Sequence, residues 1–159
     1  MFYEKRLKDI VKEDKVIFIY VSKDDELPTI DIINDFLKIG KTVVVPRCIV
    51  EKRQMVCQGI TALSDLERGA YGILEPKTNV IVPKEEIDVF VVPGKTFDEK
   101  GNRKGRGLGY FDRFLEDIKE KKPIIALSKE ENIKKELSCN SWDVPVDIIL
   151  TEKREIVCR

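Results

Sequence analysis

Short runs of β-branched and aromatic residues alternate along the chain with longer stretches whose apolar positions recur every three or four residues. Residues 16–21 (VIFIYV), 42–45, 89–92, 124–127 and 146–150 are mostly apolar on successive positions, as in strands covered on both faces. Between the first two runs, Ile30, Ile33 and Leu37 recur at helical spacing. Pro28 suits a first helical turn, and Gly40 stands where a left-handed C-terminal cap belongs. Residues 110–121 repeat the pattern, with Phe111, Phe114, Leu115 and Ile118 on one stripe, lysines at the end and Pro123 beyond. Ser64-x-x-Glu67 has the form of a capping box and predicts a further short helix there. Strand-helix-strand alternation of this kind implies the α/β class, as a three-layer domain with a mostly parallel sheet flanked by helices. Such sheets hold ligands at the carboxyl ends of their strands, in the loops that lead into helices.

The length, 159 residues, matches a single domain spanning 1–159 and suffices to bury a core without disulfides or structural metal. Lysine plus arginine equals aspartate plus glutamate at 29 each, so bulk charge gives no sign of a nucleic-acid-coating protein. The chain contains no histidine. That excludes Ser-His-Asp and Cys-His nucleophile systems, His-ligated zinc and imidazole acid-base catalysis. Chemistry therefore falls to carboxylates, Lys, Arg, Tyr, backbone amides or a bound ion. Cys48, Cys57, Cys139 and Cys158 are too widely spaced for a CxxC pair and read as reduced thiols of a cytoplasmic protein. The longest near-apolar stretch, residues 16–21, is far short of the roughly twenty residues of a membrane span, so no membrane association is expected.

One loop stands out at the expected place. Residues 89–92 end in Pro93-Gly94, and residues 95–110 then read KTFDEKGNRKGRGLGY, which holds four of the chain's nine glycines. Alternate glycines allow positive φ and can turn backbone N–H groups toward an anion, with the following helix adding its positive end. Arg103, Lys104 and Arg106 bring fixed positive charge to the same segment, and phosphate is the natural guest. A mobile, solvated connection has the same composition and stays open as an alternative. Neither GxxxxGK[ST] nor a dinucleotide GxGxxG occurs, so a nucleotide would be bound by another device.

The run Pro93-Gly94-x-x-Phe97-Asp98-x-x-Gly101-x-Arg103-x-Gly105-x-Gly107-x-Gly109-Tyr110-Phe111-Asp112-Arg113-Phe114-Leu115 resembles the signature of the 5-formyltetrahydrofolate cyclo-ligases. Further stretches resemble that family in the right order. They are Tyr20-Val21 through Glu26-x-x-Thr29, Gly40-Lys41-x-Val43 through Pro46-Arg47, Gly69-x-Tyr71-Gly72-Ile73-x-Glu75-Pro76, and Asp143-x-x-Val146-Asp147-x-Ile149-x-Thr151. The resemblance implies ATP- and Mg²⁺-dependent conversion of 5-formyltetrahydrofolate to 5,10-methenyltetrahydrofolate, by phosphorylation of the formyl oxygen and ring closure by N10. Phosphoryl transfer relies on positioning and charge neutralisation, which the residues present can supply without histidine.

The resemblance also implies roles. Residues 103–111, namely Arg103, Lys104, Gly105, Arg106, Gly107, Leu108, Gly109, Tyr110 and Phe111, correspond to the ATP-binding loop. Arg106 and Tyr110 lie where the formyl group meets the γ-phosphate, and both count as catalytic and substrate-binding. Asp112 and Asp147 match the magnesium carboxylates, provided both lie at one sheet edge. Val21, Glu26 and Met55 match folate-binding positions, Glu26 accepting hydrogen bonds from the pterin N–H groups. Taken singly, Asp112 could complement a helix dipole, Asp147 could end a loop, Glu26 could be a solvated helix-start acid, and Met55 and Tyr71 could be core. Trp142 reads as packing rather than pterin stacking. The Lys-x-x-Leu-Arg helix with which the family usually opens is expected to be missing here, and a monomer is expected. Two other uses of the chain remain. One is a relative that binds nucleotide or folate without efficient cyclisation. The other is an RNA-binding module using Lys100, Arg103, Lys104 and Arg106, which zero net charge does not favour.

Overall fold

Successive apolar residues form strands here because both faces of the sheet they enter are covered. The structure, a computed structural model, describes residues 1–105 and 107–158. The elements in chain order are α1 (Phe2–Ile10), β1 (Val16–Ile19), α2 (Ile30–Lys38), β2 (Thr42–Ile49), β3 (Gln54–Ile60), β4 (Leu66–Arg68), β5 (Leu74–Pro76), β6 (Val89–Val92), β7 (Thr96–Asp98), β8 (Arg103–Lys104), α3 (Tyr110–Leu115), β9 (Ile124–Leu127), β10 (Ile133–Lys134), β11 (Ile148–Leu150) and β12 (Glu155–Val157). The main sheet has seven strands in the order β12-β11-β9-β6-β1-β2-β3. Its five inner strands are parallel and coincide with the five apolar runs of the sequence. An antiparallel strand closes each edge, β3 beside β2 and β12 beside β11. Periodicity does not reveal these two, because β3 mixes polar and apolar residues and β12 is only three residues long.

Alternation along β1 divides the core. Ile17 and Ile19 pack with Tyr3 and Leu7 of α1 and Ile32, Ile33 and Phe36 of α2. Phe18 faces the other way, into a layer with Phe90, Phe114, Leu115 and Ile118, its ring centroid 4.9 Å from that of Phe114. The result is the expected three-layer α/β domain. No helix among the described residues is long and apolar enough to cross a membrane.

Three local expectations are corrected. Residues after Ser64 form a single 3₁₀ turn (Leu63–Asp65) leading into β4, because Asp65, not Glu67, accepts the Thr61 and Ala62 N–H groups. Regular helix over 110–121 ends at Leu115 and continues as turns, although Ile118 stays buried. Pro28 precedes the N-cap residue Thr29 rather than entering the first turn of α2. Gly40, at φ +85°, ends that helix as the pattern predicts.

Numbered as parallel strands, the inner sheet runs 2-1-3-4-5, with the order reversing between β1 and β6. Connections leave the carboxyl ends of those two strands in opposite directions and open a crevice between them. A small three-stranded sheet, β10-β7-β8, stands above it and carries Arg103 and Lys104 into the crevice. Its hairpin is held by Asp98, a buried carboxylate that accepts the N–H groups of Lys100, Asn102 and Leu137 and the Asn102 side-chain amide. Burial pushes the Asp98 pKa up, but hydrogen bonds from Asn102, Leu137 and Lys100 outweigh it and hold the carboxyl below its ordinary value. A lowered native value means stability that is full above the unfolded value of about 3.9 and is lost as pH falls through the native one. Asp98→Ala is therefore expected to lower unfolding free energy by about 2 kcal/mol at neutral pH, from the loss of charge-assisted hydrogen bonds. Denaturant midpoints measured from pH 7 downward should show the gap between parent and variant narrowing below about pH 4.

Candidate functional site

The β1/β6 crevice widens into a cavity of about 370 Å³. Tyr20 and Val21 reach it from the end of β1, Pro46 and Cys48 from β2, Met55 from β3, and Pro93 and Gly94 from β6. The glycine-rich segment supplies Arg103, Lys104, Gly105 and residues 107–112. One side of the cavity is apolar, with Val21, Met55, Ile73, Leu108 and Phe111; Glu26, Arg103, Lys104, Asp112 and Asp143 provide the charge. Met55 lines the cavity.

Arg103 is the best-fixed of these groups. Its residue is 5% exposed, its Nε donates to the Pro93 carbonyl at 2.6 Å, and its guanidinium lies 5.1 Å over the Phe111 ring. Asp112 Oδ1 is 3.9 Å from Nη1, an ion-pair contact too long for a hydrogen bond. Burial lowers the Arg103 pKa, while Asp112, Glu26 and Asp143 act to raise it. The charge persists regardless, since arginine does not lose its proton in proteins. A buried cation whose ion-pair contact with Asp112 is as long as 3.9 Å favours the entry of an anion.

Positive φ occurs at Gly107 (+89°) and Gly109 (+72°), as the alternate-glycine pattern predicts. Gly105 is needed for space instead, because a Cβ there would lie 3.2 Å from Arg103 Nη2. Arg106, expected to be catalytic and to bind both ATP and folate, lies outside the described residues.

Glu26 is held on a rigid turn after β1. Ser22 and Thr29 exchange backbone-to-hydroxyl hydrogen bonds at 3.0 Å, the Thr29 hydroxyl donates to Tyr20 O, and Glu26 Oε1 accepts the Lys23 N–H at 2.8 Å. The turn places Glu26 at the cavity wall, beside a second cavity of about 270 Å³ that shares Glu26, Pro93 and Gly94.

The two expected metal carboxylates do not come together. Asp112 lines the cavity and accepts the Val144 N–H at 3.2 Å. Asp147 precedes β11, and its Oδ2 accepts the N–H of Ile124 at the start of β9. It therefore sits at the amino ends of the parallel strands, the opposite edge of the sheet from the cavity, and has a structural hydrogen bond there. Asp143 stands with Asp112 instead. Its Oδ2 accepts from Asn140 N and from Lys104 Nζ at 3.1 Å. Burial raises the Asp143 pKa, but these donors and Arg103 prevail and keep it low, so it remains a carboxylate. The family resemblance pointed to Asp147, and nothing local in the sequence marks the turn that brings residue 143 back to the loop.

Three further residues take places the sequence did not assign. Glu75, buried on β5, accepts the Cys48 N–H at 2.7 Å and the Ala70 N–H at 3.3 Å, tying the 69–72 turn to the main sheet. That turn presents Tyr71, at φ +58°, so that its hydroxyl lies 3.2 Å from the Tyr110 hydroxyl at the cavity wall. The bond to Tyr71 pushes the Tyr110 pKa up to about 12, which keeps the phenol neutral. Trp142, expected to be packing, is 65% exposed and borders the cavity. The only advance sign of the Tyr71 turn was its place in a family-like stretch.

Residues 3–152 match the model of the 5-formyltetrahydrofolate cyclo-ligase family. A 5-formyltetrahydrofolate cyclo-ligase of Mus musculus is 32% identical over 154 residues, covering 89% of this chain and 75% of that protein. One from Haemophilus influenzae is 32% identical over 143 residues, covering 87% and 76%. The solution structure of 5,10-methenyltetrahydrofolate synthetase from Aquifex aeolicus superimposes with a TM-score of 0.85 at 30% identity, covering 99% of this chain and 79% of that one.

Proposed function

The chain belongs to the 5-formyltetrahydrofolate cyclo-ligase family, and from that premise we propose that the β1/β6 cavity is where it binds ATP beside 5-formyltetrahydrofolate and closes the folate to 5,10-methenyltetrahydrofolate. The observation that carries this reading is the buried Arg103 guanidinium, aimed between the glycine turn and an apolar cavity that has Glu26 on its wall.

The reaction is a phosphoryl transfer followed by a ring closure. The formyl oxygen takes the terminal phosphoryl group of ATP and ADP leaves. N10 then attacks the formyl carbon, the carbon-oxygen bond breaks with phosphate as leaving group, and the N10 proton is lost. Neutral formamide oxygen is a poor nucleophile and its carbon a poor electrophile, so the site must hold the two reactants in contact and offset growing negative charge. Arg103 supplies a fixed cation that needs no reorganisation. Lys104, held by Asp143 and partly exposed, supplies a second within reach of the same turn. Val21, Met55 and Phe111 offer apolar contact to the folate, and Glu26 accepts hydrogen bonds from its pterin N–H groups. The neutral Tyr110 hydroxyl can donate to an oxygen at the cavity wall.

Asp112 and Asp143 suit Mg²⁺. Both are hard oxygen donors on the cavity, and no cluster of three or more acidic or cysteine side chains among the described residues could enclose an ion. Mg²⁺ is commonly taken by one or two carboxylates together with substrate phosphates, where it neutralises phosphate charge. Asp147 has no part in this reading.

Purified protein given 5-formyltetrahydrofolate should produce methenyl absorbance only when both ATP and Mg²⁺ are present; absorbance without ATP, or none with both, would refute the proposal. Asp112→Asn should depress kcat by at least about tenfold with the fold retained. Asp147→Ala should instead leave kcat unchanged and lower unfolding free energy by about 1 kcal/mol, the worth of one hydrogen bond. Glu26→Gln should raise KM for the folate about tenfold and leave KM for ATP alone, as steady-state kinetics in each substrate will show.

A further inference from the structure

Two large ligands must meet at this site, and the main cavity, at about 370 Å³, lies at the low end of what one ligand pocket occupies. At least one of the two therefore extends beyond it. Two cavities adjoin, on different walls. The one beside Glu26 is lined by charged and polar side chains, among them Lys95, Lys129 and Asn132, and has no aromatic residue. The other, about 260 Å³, shares Gly107, Leu108, Gly109, Asp112 and Trp142 with the main cavity and adds Arg53, Arg113 and Glu116.

Trp142 stands where that cavity joins the main one. A large aromatic side chain left 65% exposed forgoes the burial that stabilises most tryptophans, so its place in the fold is not explained by packing. Its backbone is nonetheless well held. Asp143 is fixed by Lys104 and Asn140, and Val144 donates to Asp112. Across the cavity, Arg113 donates to the carbonyls of Arg53 at 2.7 Å and Leu108 at 2.9 Å, which joins the turn between β2 and β3 to the glycine turn. An indole face, two guanidinium groups and a glycine turn with positive φ suit a planar heterocycle followed by phosphates. The carboxylates of Asp112 and Glu116 on the same cavity disfavour phosphate unless a cation accompanies it.

We infer that Trp142 is the stacking platform for the purine ring of the nucleotide, whose polyphosphate crosses the glycine turn from this cavity to reach the folate in the main one. The inference rests on the nucleotide reading of the site given above. The pterin is assigned to the other side, because Glu26, the carboxylate proposed to recognise it, also borders the polar adjoining cavity, whereas Trp142 borders the one with the guanidinium groups.

Trp142 is the chain's single tryptophan, so emission excited on the red edge of the spectrum, beyond tyrosine absorption, reports on this position. Titration with a non-hydrolysable ATP analogue and Mg²⁺ should change the emission saturably, and inorganic tripolyphosphate with Mg²⁺ should not. By calorimetry, Trp142→Ala should weaken binding of the analogue about tenfold, Trp142→Phe should restore most of it, and affinity for 5-formyltetrahydrofolate should stay the same. In kinetics the alanine variant should raise KM for ATP about tenfold and leave KM for 5-formyltetrahydrofolate alone. Unaltered nucleotide affinity in Trp142→Ala overturns the inference and leaves the proposed function standing, as does a loss confined to the folate or equal for both ligands. Failure of the parent protein to bind the analogue at all overturns both.

Discussion

The hydrogen bond from Arg103 Nε to the Pro93 carbonyl joins the two parts of the molecule on which the site depends. Pro93 follows β6, at the point where the parallel sheet reverses its strand order, and Arg103 belongs to the small sheet above it. The contact puts a cation at the mouth of the crevice and holds it there against the phenyl face of Phe111. A guanidinium buried in this way would be costly if the chain had to compensate it alone. The nearest carboxylate, Asp112, stays at ion-pair distance, and an anionic ligand can supply what remains.

The neighbouring structure keeps that arrangement in place. Asp98 gathers four N–H donors to hold the hairpin that carries Arg103, Glu75 ties the Tyr71 turn to β2, and the Ser22–Thr29 pair stiffens the turn that carries Glu26. Each uses a short polar side chain to satisfy backbone groups that the loops leave without partners. These hydrogen bonds fix the loops that surround the cavity, and fixed positioning is what a phosphoryl transfer relies on.

Residue matching and the fold differ on one carboxylate. Residue matching put Asp112 with Asp147, whereas the fold brings Asp112 to Asp143 and sends Asp147 to the amino ends of the strands. Asp147 is held there by the Ile124 N–H. A carboxylate at that edge serves strand pairing and is separated from the chemistry by the length of the sheet.

Local pattern determined the parallel strands and the helix between the first two, because an apolar run covered on both faces has few other places to go. It also narrowed the kind of chemistry: without histidine, and with glycine and arginine concentrated after one strand, residue types made an anion-binding turn one of two readings of that loop. Strand order was decided only by tertiary packing, and with it the position of the crevice and which distant side chains meet there. Composition and periodicity do not mark Asp143, Glu75 or Trp142, since the first two bond to partners 39 and 27 residues away and the third borders a cavity formed by distant segments. Nothing in the chain near a residue records which turn will be folded against it, and that is why those assignments waited for the three-dimensional arrangement.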